Sequence, residues 1–400
     1  MRLSPNVQQL KPSATIAVST RAKELAAAGR DIINLGAGEP DFDTPTFISD
    51  AAVKGIRDGA TRYTPPPGLP ELRKAIADGL SARAGRTVDW QGVMVTAGAK
   101  QALFNAIFTL FGPGDEVLVA APYWTSYPAL VDLARATPVA AQGDADRDFR
   151  VTPEILDGLH TDATRGLILN TPCNPTGTVY SVEELTALAE WARDRDVWLI
   201  CDEIYGNIYF DDDAAVAPGL LDLHRDSLGQ HVLVDGASKS YAMTGWRIGF
   251  SVTSPELTKK FSALQSQITS NAATPSQMAA LAAFGDTEAA AASVRSMVSA
   301  FRRRRDLVTE RFRRLLPDLP FVEPRGAFYL FFRVDGLFDD EIAGATDWCA
   351  RMLEETGVAL VPGAAFGDDR WVRMSYASSD EVLEEAIDRL AAAVGSGVVS

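Results

Sequence analysis

A lysine, an aspartate and a glycine-containing turn are the residues of this chain best suited to do chemistry together. Lys239 lies in Gly236-Ala237-Ser238-Lys239-Ser240, and Arg247 follows eight residues after the lysine. Asp202 ends an apolar run, where a carboxylate is costly unless it is paired. The turn Gly98-Ala99-Lys100 opens a predicted helix, whose free N–H groups and positive dipole end suit a phosphate.

Three further side chains follow predicted strands and could contact the same ligand. Trp124 offers a flat face for stacking on a ring, Asn174 lies in the turn 171–177, and Tyr205 follows Asp202 closely. Packing alone could explain Trp124, and turn chemistry alone could explain the segment 171–177. One ligand accounts for all of these residues together. Pyridoxal phosphate has a phosphate, a ring with a basic nitrogen, a phenolic oxygen and an aldehyde that forms a Schiff base with lysine.

Short apolar runs that alternate with amphipathic stretches must position these residues. Strands are predicted at 93–96, 116–120, 166–170, 197–201, 231–235 and 248–252, with helices such as 99–111, 182–194 and 255–267 between them. Strands alternating with helices predict an α/β fold with a mainly parallel sheet covered on both faces. In such sheets the ligand lies beyond the carboxyl ends of the strands, which is where the residues above are found.

The remainder of the chain has a different pattern, which predicts a smaller α+β domain. One long helix is expected at 286–316, strands at 328–333, 358–361 and 371–376, and a terminal helix at 380–394. We expect residues 46–290 to form a large cofactor-binding domain, and residues 1–45 and 291–400 to form a small domain with an N-terminal arm. The run Arg302-Arg303-Arg304-Arg305 is interpreted as the solvated face of the long helix, because acidic residues follow closely.

Composition argues against several other classes of protein. The 400 residues are 46% hydrophobic and 23% charged, which is typical of a globular protein, and the length suggests about two or three domains. The net charge of −15 argues against a nucleic-acid partner. Three spaced cysteines and three histidines form neither a disulfide framework nor a metal site, so no metal is expected. Without a signal peptide or an apolar stretch of ~20 residues, the protein is expected in the cytoplasm, away from membranes.

Several motifs resemble the class I/II aminotransferases of fold type I. The most specific are Asn174-Pro175-Thr176-Gly177, Asp202-Glu203-Ile204-Tyr205 and Ser238-Lys239-Ser240-Tyr241-Ala242-Met243-Thr244-Gly245-Trp246-Arg247-Ile248-Gly249. The resemblance runs nearly end to end, through Lys11-Pro12-Ser13-Ala14-Thr15, Gly36-Ala37-Gly38-Glu39-Pro40-Asp41-Phe42, Tyr63-Thr64 and Val372-Arg373-Met374-Ser375-Tyr376-Ala377.

One motif is similar to a subgroup of that family. Gly98-Ala99-Lys100-Gln101-Ala102 resembles the Gly-Gly-Lys-Gln-Ala of bacterial aspartate aminotransferases, with Ala99 in place of the second glycine. Members of this subgroup lack the arginine that binds the distal carboxylate in the animal enzymes. The distal carboxylate therefore needs another cation in a protein of this subgroup.

The resemblance implies a fold type I transferase that uses pyridoxal 5'-phosphate. Its large domain has a mainly parallel seven-stranded sheet between helices, beside a smaller α+β domain. Lys239, Asp202 and Tyr205 are the implied catalytic residues: Lys239 forms the Schiff base and then acts as general base, and Asp202 pairs with the ring nitrogen. Further cofactor contacts are implied for Trp124 on the ring, Asn174 and Tyr205 on the ring oxygen, and Gly98, Ala99, Lys100, Ser238 and Arg247 on the phosphate. Tyr63 is implied to reach that phosphate from the other subunit of a homodimer.

The resemblance also implies how the small-molecule substrates bind. Arg373 is expected to bind the α-carboxylate with help from the backbone of Gly38, and Lys100 is expected to bind a distal carboxylate. Further substrate contacts are expected from Lys11, Thr15, Trp124 and Asn174. The implied reaction moves the amino group of aspartate, or of a similar dicarboxylic amino acid, to 2-oxoglutarate. It is a ping-pong reaction through aldimine and pyridoxamine forms of the cofactor, and in relatives the N-terminal segment also admits prephenate.

Three alternatives remain open. The first is an aminotransferase for aromatic, branched or other neutral amino acids. The second is a non-transaminating enzyme on the same fold, such as a β-lyase, a cyclase or a cyclopropane-carboxylate synthase. The third is a regulator with a catalytically silent aminotransferase domain, against which the presence of Lys239 and the lack of a basic arm both argue.

Overall fold

A computed structural model describes residues 4–8, 10, 12, 14–285 and 287–395 of the chain. Within these ranges no helix is long and apolar enough to span a membrane. The strands are β1 Ile33–Asn34, β2 Val93–Thr96, β3 Glu116–Ala121, β4 Thr137–Gln142, β5 Thr164–Asn170, β6 Trp198–Asp202, β7 His231–Gly236, β8 Gly249–Val252, β9 Phe321–Val322, β10 Tyr329–Arg333, β11 Val358–Ala359, β12 Val361–Pro362 and β13 Trp371–Ser375.

The helices connect and cover these strands. They are α1 Pro5–Gln8, α2 Ala14–Ala27, α3 Thr46–Arg57, α4 Pro70–Ala84, α5 Ala99–Leu110, α6 Ser126–Leu133, α7 Pro153–Asp157, α8 Val182–Asp194, α9 Ala237–Ser240, α10 Pro255–Ile268, α11 Thr274–Gly285, α12 Thr287–Leu315, α13 Ala345–Thr356 and α14 Asp380–Gly395. The predicted helix 182–194 has the bounds of α8, and its start is fixed by a capping box between Ser181 and Glu184.

Seven strands form the central sheet in the order β2-β8-β7-β6-β5-β3-β4. The pairs from β4 to β7 are parallel, and β8 is antiparallel to both of its neighbours. The expected α/β fold with a mainly parallel seven-stranded sheet is therefore confirmed. Strand β4, at the edge of the sheet, was not predicted from the sequence. It contains Pro138 and alanines, which favour strands poorly and are tolerated at an edge.

Both faces of the central sheet are buried except at the edge strand β4, which explains why the other strands are nearly continuous apolar runs. Leu118, Leu167 and Leu199 face one side, where they pack in a core with α3, α4, α8 and α11. Val117, Ile168 and Ile200 alternate with them and pack on the other side with α5, α6 and α10. The two-residue period of the strands thus sends neighbouring side chains into two different cores.

A smaller antiparallel sheet, β12-β13-β10-β9, and a two-stranded parallel pair, β1-β11, form a separate region. The predicted strand 358–361 is divided at Leu360 into β11 and β12, which pair with different strands. Helix α2 buries Ala22 and Leu25 against Leu353 and Ala359. The proposed domains, 46–290 and 1–45 with 291–400, remain a prediction, and the packing of the N-terminal segment on β11 favours them.

The interpretation of the arginine run as a solvated face was wrong for Arg304. This side chain is 7% exposed, and its two terminal nitrogens donate to the two carboxylate oxygens of Asp41 at 2.7 and 2.8 Å. Its guanidinium also lies over the rings of Phe42 and Phe301. Arg304 therefore connects α12 to the segment that leads from β1 to α3, which counting charges along one helix could not reveal.

Candidate active site

One cavity of about 560 Å³ lies at the carboxyl ends of β5, β6 and β7, beside the start of α5 and below α2. It collects twelve of the residues predicted from the sequence. These are Thr15, Gly38, Ala99, Lys100, Trp124, Asn174, Asp202, Tyr205, Ser238, Lys239, Arg247 and Arg373. The strand-end rule had grouped nine of these twelve residues, and the family resemblance supplied Thr15, Gly38 and Arg373.

Asp202 is the last residue of β6 and is held at the floor of the cavity. Its Oδ2 accepts a hydrogen bond from the hydroxyl of Tyr127 at 2.8 Å, and its Oδ1 accepts one from the backbone N–H of Ile204 at 3.1 Å. Asn170 donates to its carbonyl oxygen at 2.8 Å. Burial raises the pKa of Asp202 to about 6, although the hydrogen bonds from Tyr127 and Ile204 and the charge of Lys239 act in the opposite direction. A cation placed next to this carboxylate would keep it ionised.

Lys239 follows β7 in the short helix α9, and its amine points at the same cavity. Nζ donates to the carbonyl oxygen of Gly38 and lies 5.9 Å from the ring centres of Tyr205 and Phe328. Burial lowers the pKa of Lys239 to about 8; nearby Glu39 raises it, and the cations Arg373 and Arg247 lower it further. A substantial fraction of the amine is therefore neutral near pH 8, as a nucleophile or a general base requires.

The start of α5 and two cations form a positively charged corner of the cavity. The guanidinium of Arg247 is held by the carbonyl oxygen of Thr244 at 2.9 Å, and Lys100 Nζ lies 4.8 Å from the ring centre of Trp124. Burial and then the charge of Arg247 lower the pKa of Lys100. The hydroxyl-bearing Ser238 lines the same cavity. Two cations and the first N–H groups of a helix at one place suit an anion with several oxygens.

Gly98 is required at this corner for a steric reason. It does not line the cavity itself, but it precedes α5 with φ of +81°. A Cβ at this position would lie 2.3 Å from a terminal nitrogen of Arg247. The backbone conformation therefore strongly favours glycine, and a side chain at this position would displace the guanidinium of Arg247.

Arg373 projects from β13 and connects the small sheet to the cavity. It is 1% exposed, and it donates to Asn174 Oδ1 at 2.9 Å and to the carbonyl oxygen of Gly36 at 2.7 Å. Its guanidinium lies 4.4 Å from the ring centre of Tyr329. Its buried Nε has no hydrogen-bond acceptor among the described residues. A buried guanidinium with a remaining donor is suited to bind a carboxylate.

Sequence reasoning missed several residues that line the cavity, among them Glu39, Tyr127, Asn170 and Tyr329. Asn170 ends β5 and pairs in register with Asp202, so the strand-end rule applied to one more residue would have found it. The hydroxyls of Tyr329 and Tyr205 lie 2.8 Å apart, and burial raises the pKa of Tyr205 well above its usual value. No local pattern marks Tyr127 or Tyr329 as polar contacts within a cavity.

Besides Gly98, two predicted residues are not among those that line this cavity in the described part of the chain. Tyr63 is 90% exposed and lies outside it, so its contact with the phosphate of a second subunit remains a prediction. Lys11 lies outside the described residues, so its contact with a substrate also remains a prediction. Thr15 reaches the mouth of the cavity from α2, next to Ile16 and Ser19.

The fold and the site together define a fold type I transferase, and comparison with known proteins identifies the family. The model of aminotransferase class I and II matches residues 30–390. The chain belongs to this family and is an aminotransferase, so the predicted family and enzyme class are confirmed.

Curated relatives resemble the chain over nearly its whole length. The chain is 43% identical over 402 residues to an aspartate/prephenate aminotransferase of Cereibacter sphaeroides, with 98% of each protein covered. It is 40% identical over 393 residues to an aspartate aminotransferase of Geobacillus stearothermophilus, again with 98% of each covered. Among solved structures, the aspartate aminotransferase of Thermus thermophilus with maleate superposes with a TM-score of 0.91 at 41% identity. That match covers 98% of this chain and all of the other.

Proposed function

We propose that this aminotransferase uses pyridoxal 5'-phosphate to move the amino group of aspartate, or of a similar dicarboxylic amino acid, to 2-oxoglutarate. The observation that carries the proposal is that one cavity holds a lysine amine, a buried carboxylate and a buried guanidinium at Lys239, Asp202 and Arg373. Relatives about 40% identical over nearly the full length are named aspartate or aspartate/prephenate aminotransferases, which supports the choice of substrate.

The residues of the cavity fit the proposed cofactor at each of its reactive groups. A protonated ring nitrogen matches Asp202, whose carboxylate is buried and whose raised pKa indicates that a cationic partner would stabilise its charge. A phosphate matches the corner formed by Arg247, Lys100 and the start of α5, where Gly98 leaves room for the guanidinium. An aldehyde matches the Lys239 amine, whose lowered pKa makes the neutral form accessible.

When bound, pyridoxal phosphate supplies a protonated ring that withdraws electrons from the α-carbon of an amino acid. Asp202 would hold the ring nitrogen of this group and favour its protonated form, because an ionised carboxylate stabilises a neighbouring cation. Tyr127 and Ile204 hold this carboxylate in place by their hydrogen bonds to its two oxygens. The protein therefore contributes a fixed negative charge at the ring nitrogen.

Lys239 is proposed to move the proton of the substrate. With the cofactor bound, Lys239 Nζ would be the base of the reaction: as a neutral amine it would accept the proton of the α-carbon and later release it. The Gly38 carbonyl oxygen accepts from this amine and can hold it near the cavity while it is not covalently attached. Asn174 and Tyr205 are proposed to bind the ring oxygen, and Trp124 to stack on the ring.

Arg373 is proposed to orient the substrate by binding its α-carboxylate. Two parallel hydrogen bonds from a guanidinium fix the carboxylate plane, and hence which bond of the α-carbon faces the ring. Asn174 Oδ1 and the Gly36 carbonyl oxygen already hold the guanidinium from two sides. Lys100, with Thr15 and Lys11 from the N-terminal segment, is proposed to bind the distal carboxylate.

A homodimer with shared active sites is part of the same proposal, with Tyr63 completing the phosphate site of the other subunit. The exposed position of Tyr63 supports this arrangement, because the side chain lies outside the cavity of its own chain. Use of prephenate as amino acceptor is a second candidate activity. It is favoured by the names of the relatives from Cereibacter sphaeroides and Thermus thermophilus.

A panel of amino donors tested against 2-oxoglutarate, oxaloacetate and prephenate tests the proposed function. We expect aspartate and glutamate to exceed alanine, leucine and phenylalanine in kcat/KM. A preference for leucine or phenylalanine would support the neutral-substrate alternative instead. Release of ammonia without any dependence on an oxo acid would support a lyase.

A further inference from the structure

The loop that carries Tyr63 is held by side chains from two other helices. The Tyr63 loop, residues 61–69, joins α3 to α4. Thr274 at the start of α11 donates to the carbonyl oxygen of Arg62 at 2.6 Å. Gln277, one turn later, donates from Nε2 to Thr64 Oγ1 at 3.0 Å. The residues immediately before and after Tyr63 are therefore both fixed from α11.

Gln277 is completely buried, and its amide is fully used. Besides Thr64, its Nε2 donates to the carbonyl oxygen of Ala272 at 2.8 Å, and its Oε1 accepts from the backbone N–H of Leu69 at 2.8 Å. A buried amide is stable only when such partners are present, so this side chain holds the residue after Tyr63 and the last residue of the Tyr63 loop at once.

Two further features stiffen the same loop. Gln265, also completely buried, donates to the carbonyl oxygen of Pro66 at 2.7 Å. The segment Pro65-Pro66-Pro67 has three fixed φ angles, and Gly68 follows with φ of +101° in a place where a Cβ would lie 2.7 Å from Val95. The backbone that follows Tyr63 thus has little freedom.

The stiff loop contrasts with the exposure of the side chain that it carries. Tyr63 is 90% exposed, and a tyrosine normally buries its ring and bonds its hydroxyl when it serves its own fold. Fixing the backbone of an exposed aromatic residue gains nothing within one chain, but it lowers the entropy lost when that residue binds outside the chain. The Tyr63 loop is therefore preorganised for a contact outside its own chain.

We propose that Gln277 and Thr274 are positioning residues that hold the Tyr63 loop in the conformation in which Tyr63 binds the cofactor phosphate of a second copy of this chain. The inference rests on the proposed homodimer with shared sites. It assigns to α11 an effect on the partner's site, although neither Gln277 nor Thr274 lines the cavity of its own chain.

Because the proposed effect of α11 is on the site of the other chain, heterodimers provide a specific test. One chain carries Lys239→Ala and the other keeps Lys239, and different tags allow the mixed dimer to be purified. Only the chain that keeps Lys239 can be trapped with the cofactor by borohydride. The trapped fraction of that chain is measured by intact-mass spectrometry across a titration of pyridoxal phosphate. The readout is cofactor affinity at one defined site.

Thr274→Val or Gln277→Leu is then placed on either chain. On the Lys239→Ala chain, the altered loop serves the working site, and we expect the midpoint of the titration to rise about tenfold, the effect of losing one to two hydrogen bonds. On the chain that keeps Lys239, the altered loop serves the inactive site, and we expect the midpoint to be unchanged. Thr274→Ser, which retains the hydroxyl, should restore the original midpoint in both arrangements.

Controls separate positioning from general damage to the fold. Thr186→Val makes the same chemical change on α8, where the hydroxyl donates to the carbonyl oxygen of Val182 in the same helix, and should leave both midpoints unchanged. Thr274→Val keeps the test usable if Gln277→Leu does not fold. An equal rise in both arrangements, or a rise only when the substitution is on the chain that keeps Lys239, would overturn the inference.

Tyr63→Phe in the same two arrangements independently tests the proposed homodimer with shared sites. A rise confined to the arrangement with Tyr63→Phe on the Lys239→Ala chain supports shared sites. If Tyr63→Phe acts in this way but the α11 variants do not, only the positioning role is overturned. If Tyr63→Phe does not act across the dimer, both the shared site and the positioning role are overturned.

Discussion

Arg373 Nη1 donates to Asn174 Oδ1 at 2.9 Å, which joins the last strand of the small sheet to the turn after β5 across 199 residues of sequence. Both side chains are buried, and Arg373 is also held by the carbonyl oxygen of Gly36. These two hydrogen bonds fix the orientation of the guanidinium. The cavity therefore presents a buried guanidinium whose position is set within the protein itself.

Arg373→Lys should lower kcat/KM for aspartate about 100-fold, mainly through KM, because an ammonium cannot make two parallel hydrogen bonds. Steady-state kinetics with saturating cofactor measures this effect. Arg303→Lys is the matched control, since Arg303 lies on the surface of α12 in an exposed pair with Asp380. Unchanged kinetics in Arg373→Lys, with the variant folded, would show that the substrate carboxylate binds elsewhere.

Asp202→Asn should weaken the binding of pyridoxal phosphate, since removing one member of a buried charged pair typically costs about 3–5 kcal/mol. The rate of transamination should fall sharply as well. Glu203→Gln is a neighbouring control: Glu203 is as buried as Asp202, but it accepts from the Leu220 N–H and pairs with Arg83 instead of lining the cavity. Equal losses of cofactor affinity in the two variants would refute the assignment of Asp202.

The same substitution should stabilise the protein without its cofactor. The folded pKa of Asp202 is about 6, above the usual 3.8. The free energy of unfolding therefore falls as this carboxyl group ionises, when pH rises from about 4 to about 6. Asp202→Asn removes this loss, which at 1.36 kcal/mol per pKa unit is about 3 kcal/mol above pH 6. Urea unfolding of the two cofactor-free proteins should show this difference at pH 7 and none below pH 4. A less stable variant at pH 7 would contradict the inferred burial cost.

The covalent attachment of pyridoxal phosphate to the cofactor-free protein should accelerate with pH up to about 8. Only the neutral amine attacks the aldehyde, and the folded pKa of Lys239 is about 8, so the rate should rise about tenfold per pH unit below that value and then level off. Absorbance after rapid mixing measures the rate, and borohydride trapping with mass spectrometry locates the adduct. A rate that continues to rise beyond pH 10, or an adduct on Lys100 or Lys259, would contradict the assignment.

Lys100→Ala should lower kcat/KM for aspartate about tenfold more than for alanine, because a point-charge contact with a carboxylate gives moderate discrimination. Lys100 lies on the cavity wall over Trp124, so it is placed to contact a substrate as well as the cofactor phosphate. Saturating cofactor separates the two effects, and Lys259→Ala on the exposed side of α10 is the control. The same loss for both donors would restrict Lys100 to the cofactor.

Much of the fold and of the candidate site could be predicted from local sequence. Buried parallel strands must be short apolar runs, and the residues after each strand lie at one edge of the sheet. Asp202, Asn174 and Lys239 could therefore be grouped before any coordinates. The edge strand β4 could not be found in this way, because one exposed face and a proline remove the apolar signal.

Tertiary structure alone decided which partners give these residues their chemistry. Three hydrogen bonds join segments that are far apart in the chain: Tyr127 with Asp202, Gly38 with Lys239, and Asn174 with Arg373. It also showed that Arg304 is buried in an ion pair with Asp41, although its neighbours in sequence suggested a solvated face. Local sequence determines the period of a strand or helix, because backbone geometry is local. Burial and pairing depend on which distant groups remove the water around a side chain, and these determine the pKa values near 6 and 8.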